Sequence, residues 1–163
     1  MMRRLAAAVA FVSGAGVAAW VAGADAWSST VLKPLEGGAH SGVAERSFRV
    51  VGDERTFGTL YASVHAHRMP PPRAPDVDFD THVVLVAFLG SRSTGGHGTG
   101  FGAAAMEGGV ARVAVVERAP PAGAVLTQAM TTPYAFAALA RQNVRLVELV
   151  DGAGLVVLRG SLT

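Results

Sequence analysis

The fold is set first by VVLVAFLG at positions 83–90, which SRSTGGHGTG follows at 91–100. Val83 to Leu89 form a continuous apolar run with several β-branched side chains, which predicts a short strand buried on both faces. The residues after it are rich in glycine: Gly90, Gly95, Gly96, Gly98 and Gly100. Because glycine adopts positive φ angles and lets another backbone approach closely, these residues indicate a shaped loop held by a rigid strand.

Two hairpins are predicted toward the C-terminus. Segments 99–106 and 110–117 have the composition of strands and are joined by Glu107-Gly108-Gly109, a short turn signal. The apolar segments 144–149 and 155–158 flank a second turn signal, Asp151-Gly152-Ala153-Gly154. We therefore expect each of these two pairs of segments to form an antiparallel hairpin.

One helix is predicted before the apolar run. Asp53 stands where an N-cap residue accepts backbone N–H bonds. The apolar residues after it recur at i, i+3, i+4 and i+7, the spacing of one helical face: Phe57, Leu60, Tyr61 and Val64. This spacing predicts a helix of about three turns from Glu54. The prolines after Met69 end the helix, because proline lacks the N–H that a helix needs.

The strand signals together predict an α+β fold. Residues 47–51 alternate apolar and polar side chains, as a half-buried strand does, and Val31-Leu32 can add a short edge strand. The expected architecture is mainly antiparallel β-sheet, sandwich-like, with about seven strands and one helix. Residues 27–46 contain few apolar side chains and are expected to form a loosely ordered lead-in, so a single β-rich domain is predicted over 47–163.

Residues 1–26 have the features of a secretory signal peptide. Arg3 and Arg4 precede an uncharged apolar run, and Ala24-Asp25-Ala26 has the small-x-small spacing that signal peptidase accepts. The alternative is a retained membrane anchor, since an apolar run of about 18 residues can just span a bilayer. We expect an exported protein, periplasmic or extracellular, whose membrane contact is limited to an uncleaved signal segment.

The composition excludes several classes of site. The chain contains no cysteine, which rules out disulfides, thiolate zinc sites, a thiol nucleophile and the lipid-carrying cysteine of a lipoprotein. Its basic residues are spread singly along the chain, without the dense stripe that nucleic acid requires. We expect neither nucleic-acid binding nor a cofactor.

Two groups of residues resemble metal ligands. His65 and His67 are separated by one residue, so on a helix they point in different directions, and we expect two solvated histidines. Asp76, Asp78 and Asp80 alternate as calcium ligands can, but the glycine and distant glutamate of an EF-hand loop are missing. The aspartates are therefore expected to form turns and to solvate a strand end, and no metal site is predicted.

No catalytic residue is predicted. The chain has no G-x-S-x-G motif, and Ser91 and Ser93 lie in a glycine-rich segment without the strand-to-helix turn that activates a nucleophile. A phosphate-binding loop is also not expected, because the chain's single lysine, Lys33, is far from the glycines. A hydrolytic or metal-dependent enzyme remains the alternative, and it would use His65, His67, His97 and the aspartates.

Two loops are candidates for binding a protein. Thr94-Gly95-Gly96-His97 is either a plain tight turn or a recognition loop whose backbone N–H and C=O groups pair with a partner's extended chain. Segment 120–134 mixes apolar, amide and hydroxyl side chains, including Met130, as protein-binding surfaces do. We expect both loops at the same end of the sheet. The candidate partner-binding residues are Gly90, Thr94, Gly95, Gly96, His97, Leu126, Thr127, Gln128, Pro133 and Tyr134.

These loops resemble the C-terminal domain of the protease complex subunit PrcB family. The similar residues lie within 75–136 and are Pro75-Asp76-Val77-Asp78-Phe79, Leu89-Gly90, Thr94-Gly95-Gly96, Pro120, Thr127-Gln128, Thr131 and Pro133-Tyr134. The chain departs from the family at His97, where an aromatic residue is common. It also lacks the cysteine that anchors the lipoprotein after which the family is named.

The resemblance implies a non-catalytic, PrcB-like domain that binds or stabilises a protease or protease complex. A variant, drawn by analogy with protease inhibitors that use glycine-containing loops, is direct inhibition, in which the loop at 90–98 blocks a substrate cleft. A third possibility, besides the enzyme named above, is a structural module of the cell envelope whose loops only close hairpins. In that case neither loop would bind a partner.

Overall fold

The computed structural model describes residues 32–162. The predicted signal segment 1–26 and Val31 lie outside these residues. The described elements are β1 (Leu32–Gly38), β2 (Ser47–Val51), α1 (Glu54–Val64), β3 (His82–Phe88), β4 (Gly98–Glu107), β5 (Val110–Arg118), β6 (Tyr134–Ala140), β7 (Leu146–Val150) and β8 (Val156–Ser161). They form two four-stranded sheets, which confirms an α+β fold dominated by antiparallel pairing.

The first sheet has the strand order β1-β6-β3-β2, and all of its neighbours are antiparallel. Strands β3 and β6 lie at its centre. Val84 and Val86 face the helix side of this sheet, whereas Val83 and Leu85 face the second sheet. All four side chains are fully buried, so the prediction of a strand covered on both faces is confirmed.

Helix α1 packs on the outer face of the first sheet and begins as predicted. The Asp53 carboxylate accepts a hydrogen bond from the Thr56 N–H at 2.8 Å, as an N-cap residue does. The side chains that the helix buries are Phe57, Tyr61 and Val64. They join Val84, Val86 and Phe136 in one apolar cluster, so the helical face found in the sequence is the face that packs.

The second sheet has the order β4-β5-β7-β8 and covers the inner face of the first. Both predicted hairpins are present, and Gly108 and Gly109 have φ of 58° and 82°, as a two-residue hairpin turn requires. Strands β5 and β7 run parallel, which was not predicted. They do so because the chain crosses to the first sheet, forms β6 there, and returns to the second sheet as β7.

Strand β6 explains why eight strands are present instead of about seven. Its sequence, YAFAALA, has no alternation of apolar and polar residues, and alanine is a weak strand former. Its position between β1 and β3 nevertheless buries Tyr134 to Leu139. The strand is thus defined by its neighbours rather than by local preference.

The segment expected to be a loosely ordered lead-in is part of the domain from Leu32 onward. Strand β1 pairs with β6 from Tyr134 to Leu139. Ser41 is buried, and its N–H donates to the Thr132 carbonyl at 2.9 Å. The predicted boundary at residue 47 is therefore wrong, because the partner of this segment lies about a hundred residues later. Within residues 32–162, no helix has the length and apolar composition needed to cross a membrane.

Candidate protein-binding site

Two loops meet at one end of the sandwich. The glycine loop (residues 89–97) follows β3, and the long loop (residues 119–133) precedes β6, its antiparallel neighbour. Leu89 donates its N–H to the Pro133 carbonyl at 2.9 Å. Arg92 and Thr131 exchange two backbone hydrogen bonds of 2.8 and 2.9 Å. The pairing of β3 with β6 therefore continues into both loops, as the prediction of a shared end requires.

Further contacts join the loops beyond this ladder. The Gly95 N–H donates to the Thr127 carbonyl at 3.0 Å, and the Thr131 hydroxyl donates to the Thr94 carbonyl at 3.0 Å. Gly96 has a φ of 84°, and a Cβ there would lie 2.9 Å from the Pro120 side chain. Because glycine has no side chain that could clash, these positions allow the two loops to pack closely.

Gly90 holds the start of the glycine loop against the segment before β2. Its φ is 79°, and a Cβ there would lie 2.9 Å from the Arg46 backbone nitrogen. The neighbouring Ser91 N–H donates to the Ala44 carbonyl at 2.9 Å. Gly90 is therefore a structural residue, buried between packed segments, and it does not contact solvent.

The apolar surface of this end comes from the long loop. Val125 is fully exposed and Met130 is 71% exposed. Thr127 and Gln128 between them are also exposed, whereas Leu126 is half-buried and faces Gly96. These exposed apolar side chains lie on a backbone that is hydrogen-bonded to the glycine loop through Thr127.

Three of the residues predicted to bind a partner are buried instead: Gly90, described above, Pro133 and Tyr134. Tyr134 lies in the core, and its hydroxyl donates to Glu36 at 2.7 Å. Tyr134 is the first residue of β6, and its ring faces the helix side of the sheet. It cannot anchor a partner, and Val125, which the sequence reasoning left out, is exposed in its place. The available signal was an apolar residue that follows Pro121 and Gly123 in a loop.

The prediction of free glycine amides is wrong for Gly95, which donates its N–H within the molecule. The N–H groups of Ser91 and Arg92 in the same loop are also used inside the molecule. The sequence showed the donors but not the acceptors, because the carbonyls come from the long loop and from the segment before β2. The long loop presents exposed side chains, whereas these three N–H groups are not available to a partner.

A polar cluster lies beneath the loops, on the helix side of the first sheet. The Glu36 carboxylate accepts hydrogen bonds from Tyr61 at 2.6 Å and from Tyr134 at 2.7 Å, and the His65 Nε2 atom lies 2.9 Å from it. Burial raises the pKa of Glu36, but the two tyrosine hydroxyls and the charges of His65 and Arg68 outweigh this effect, so its pKa is lowered.

The tyrosines respond in the opposite direction. Burial raises the pKa of Tyr61 to about 12, and its hydrogen bond to the Glu36 carboxylate adds to the shift. Burial and the same carboxylate raise the pKa of Tyr134 as well. Both hydroxyls therefore keep their protons, which they donate to Glu36, and the cluster ties β1 to the helix and to β6.

The structure corrects the prediction of two solvated histidines. His67 is exposed, but His65 is buried and packs its ring on Tyr61, with 4.3 Å between ring centroids. The reason is the N-terminal strand, since Glu36 of β1 lies against the helix end and covers His65. Within residues 32–162, no group of three or more histidine, aspartate or glutamate side chains is arranged to hold a metal ion.

The alternating aspartates lie before β3, as turn residues. Asp76, Asp78 and Asp80 are exposed. The Asp78 carboxylate accepts from the Asp80 N–H at 3.0 Å and from the Thr81 hydroxyl at 2.8 Å. These hydrogen bonds lower the pKa of Asp78, and they form the local turn that leads the chain into β3.

Comparison with known proteins bears on the same two loops. Residues 83–140 match the family model described as PrcB C-terminal. The resemblance predicted from the loops is thereby confirmed for this segment. It comprises β3, β4, β5 and β6 with both loops, which are the central pair of the first sheet and one hairpin of the second.

No curated protein and no solved structure matches the chain. Within the PrcB segment, Gly90, Thr94, Gly95 and Thr131, four of the residues that carried the resemblance, make contacts inside the molecule. These residues therefore maintain the shape of the loops, and the exposed residues between them are the ones that can contact a partner.

Proposed function

We propose that this protein is an exported, non-enzymatic domain that binds a protease or protease complex through its two loops and stabilises or inhibits it. The family match supplies the protease association. The observation that carries the choice of surface is the exposure of Val125 and Met130 on a backbone fixed by the Gly95–Thr127 hydrogen bond. Apolar side chains presented by a rigid loop lose little conformational entropy on binding.

The export part of the proposal depends on residues 1–26. Their basic start, apolar run and Ala24-Asp25-Ala26 site support secretion and cleavage. N-terminal sequencing of the protein recovered from the cell envelope or medium tests this, and Trp27 is the expected first residue. Recovery of Met1 or Met2 as the first residue would reject cleavage at this site.

A double substitution in the long loop tests the binding surface. Val125→Glu with Met130→Glu places charge at both exposed apolar positions of the long loop. It should abolish recovery of the protease partner in crosslinking from the native envelope. The matched control is Met69→Glu with Leu155→Glu, because these side chains are 89% and 65% exposed and lie outside both loops. Equal recovery of every partner by both folded variants would refute the assignment of this surface.

Substitution of the glycines is a poorer test. Gly96→Val would place a branched side chain at a positive φ and against Pro120, so the loops themselves would move. A loss of binding would then follow from lost shape whether or not Gly96 contacts the partner. The exposed side chains avoid this difficulty because their replacement leaves the backbone contacts intact.

A further inference from the structure

Strand β4 is an edge of the second sheet and is paired only with β5. The other side of an edge strand presents backbone N–H and C=O groups that can pair with another chain. Residues 98–106 contain no charged residue and no proline. Natural proteins protect their edges with such residues and with bulges. In β4 the charged residue is Glu107, the last of the strand, and a bulge interrupts the edge between Phe101 and Ala104. The stretch before the bulge, residues 98–101, is therefore the unprotected part of this edge.

The other three edges of the two sheets differ from β4. Strand β1 carries Lys33 and Pro34, β2 carries Arg49, and β8 carries Arg159. Each of these residues is exposed. Charges and proline on an edge oppose pairing with a second chain. Among the described edges, β4 is thus the one that is built to accept a strand.

A cleft of about 270 Å³ lies beside this edge, between the two sheets. Its walls are residues 34–37 of β1, 99–101 of β4 and 135–137 of β6. Pro34 and Gly37 are exposed although their register partners on β6, Ala137 and Ala135, are buried. The inner face of β1 is therefore uncovered, and a strand added to β4 would lie over it.

The cleft also contains an unused polar group. The Thr99 hydroxyl oxygen is buried, and it has no hydrogen-bond partner among the described residues. A buried hydroxyl without a partner is unfavourable, and an incoming polar atom would relieve this. The small residues Gly37, Ala135 and Ala137 leave room for an apolar side chain next to it.

On the opposite face of β4, Arg118 reaches toward the edge. Its Nη2 atom lies 3.6 Å from the position that a Cβ on Gly98 would occupy, so the guanidinium lies over Gly98. Arg118 is exposed, and it forms no ion pair with residues 32–162. An acidic side chain on an added strand, opposite Gly98, would come next to this guanidinium.

We propose that the free edge of β4 binds an extended segment of another protein, in which an acidic residue meets Arg118 and the adjacent residue is apolar and enters the cleft. Successive side chains of a strand point to opposite faces, which gives this order. A second copy of β4 carries one carboxylate, Glu107 at the end of the strand. Placing it opposite Gly98 would set the bulges of the two copies, between Phe101 and Ala104, against each other and break the ladder, so a second copy fits poorly. This surface is distinct from the two loops and does not depend on the function proposed for them.

A fluorescent six-residue peptide, Thr-Asp-Val-Thr-Val-Thr with blocked ends, tests the proposal, and the same peptide with lysine in place of aspartate is its control. The aspartate peptide should bind, and hydrogen exchange of residues 98–106 should slow when it is bound. Arg118→Glu should lower the affinity for the aspartate peptide about fivefold or more, and this variant should bind the lysine peptide more tightly than the aspartate peptide. Arg55→Glu, the same charge change on the exposed side of α1, should alter neither affinity.

Arg118→Gln provides a second variant if Arg118→Glu does not fold, and it should remove the preference for aspartate over lysine. Equal affinity of the two peptides for the unmodified domain would overturn the acidic requirement. If the peptide binds but hydrogen exchange of residues 98–106 does not slow, the peptide does not bind at β4, and the proposed site is wrong. A dimer of the domain with β4 protected and no peptide bound would show that a second copy occupies the edge, against the proposal. The Val125→Glu, Met130→Glu variant should bind the peptide normally, which separates this test from that of the loops.

Discussion

The glycine loop and the long loop leave neighbouring strands of the same sheet and bond to each other, yet they present different groups to solvent. In the glycine loop, the N–H groups of Ser91, Arg92 and Gly95 are used inside the molecule. In the long loop, the side chains of Val125 and Met130 point outward. A glycine-rich sequence can thus indicate close packing between two loops. The surface offered to a partner can then belong to the other loop, whose backbone this packing holds in place.

The largest expected difference between the loops is in the response of their glycines to substitution. Gly90→Ala should destabilise the domain by about 3 kcal/mol, because it combines a positive φ with a Cβ 2.9 Å from the Arg46 nitrogen. Gly123 in the long loop has a φ of 78°, but no atom lies within 4 Å of the position that a Cβ there would occupy. Gly123→Ala should therefore cost only about 1 kcal/mol. Chemical denaturation measures both, and equal losses would show that packing at Gly90 is unimportant.

The next effect concerns Tyr134, the residue directly after the long loop, and its partner Glu36. Glu36→Gln should destabilise the domain by about 2 kcal/mol at neutral pH, because the carboxylate accepts two tyrosine hydrogen bonds. The lowered pKa of Glu36 means that its stabilisation is present above the ordinary carboxyl value and is lost as the pH falls through the folded value. The stability difference between the unmodified protein and the variant should therefore shrink on acidification. A difference that stays constant down to strongly acidic pH contradicts this assignment.

A smaller effect is expected from the hydroxyl that joins the loops. Thr131→Val keeps the shape of a buried side chain but removes its hydrogen bond to the Thr94 carbonyl. The free energy of unfolding should therefore fall by about 1 kcal/mol. Thr127→Val is the matched control, since Thr127 is exposed and contributes its backbone carbonyl to the bond with Gly95. Thermal unfolding should distinguish the two variants. If both lose the same stability, the hydroxyl does not join the loops.

The smallest effect on stability is expected at the outer surface of the long loop. Val125→Ser and Met130→Ser should each change the free energy of unfolding by less than about 0.5 kcal/mol, because neither side chain is packed. A larger loss for either variant would mean that the side chain packs against the domain. In that case the contrast between the two loops would disappear.

The sequence predicts those elements whose signals are local. The apolar run 83–89 identified β3, the cap at Asp53 and the spacing after it identified α1, and glycine pairs identified the hairpins. Strand β6 was not recognised because its alanines carry no strand signal, and its burial depends on β1 and β3 on either side. This strand therefore forms because of the strands on either side of it, and its composition alone does not predict it.

The candidate site was predicted in outline only. The two loops were identified, and the family resemblance placed them within 75–136, close to the matched segment 83–140. The direction in which each side chain points could not be predicted from the sequence. Tyr134 is hydrogen-bonded to Glu36, 98 residues away in sequence. Thr94 is hydrogen-bonded to Thr131, 37 residues away. His65 was expected in solvent for the same reason, since its cover comes from a distant strand.

The crossing of the chain between the sheets has a consequence for proteolysis. A cut within residues 121–130 would separate β1 to β5 from β6, β7 and β8, and neither piece contains a complete sheet. The second piece supplies the strand that lies between β1 and β3, so the two pieces should stay associated after cleavage. A protease that nicks the exposed long loop would thus leave a single particle, which separates into its fragments only under denaturing conditions.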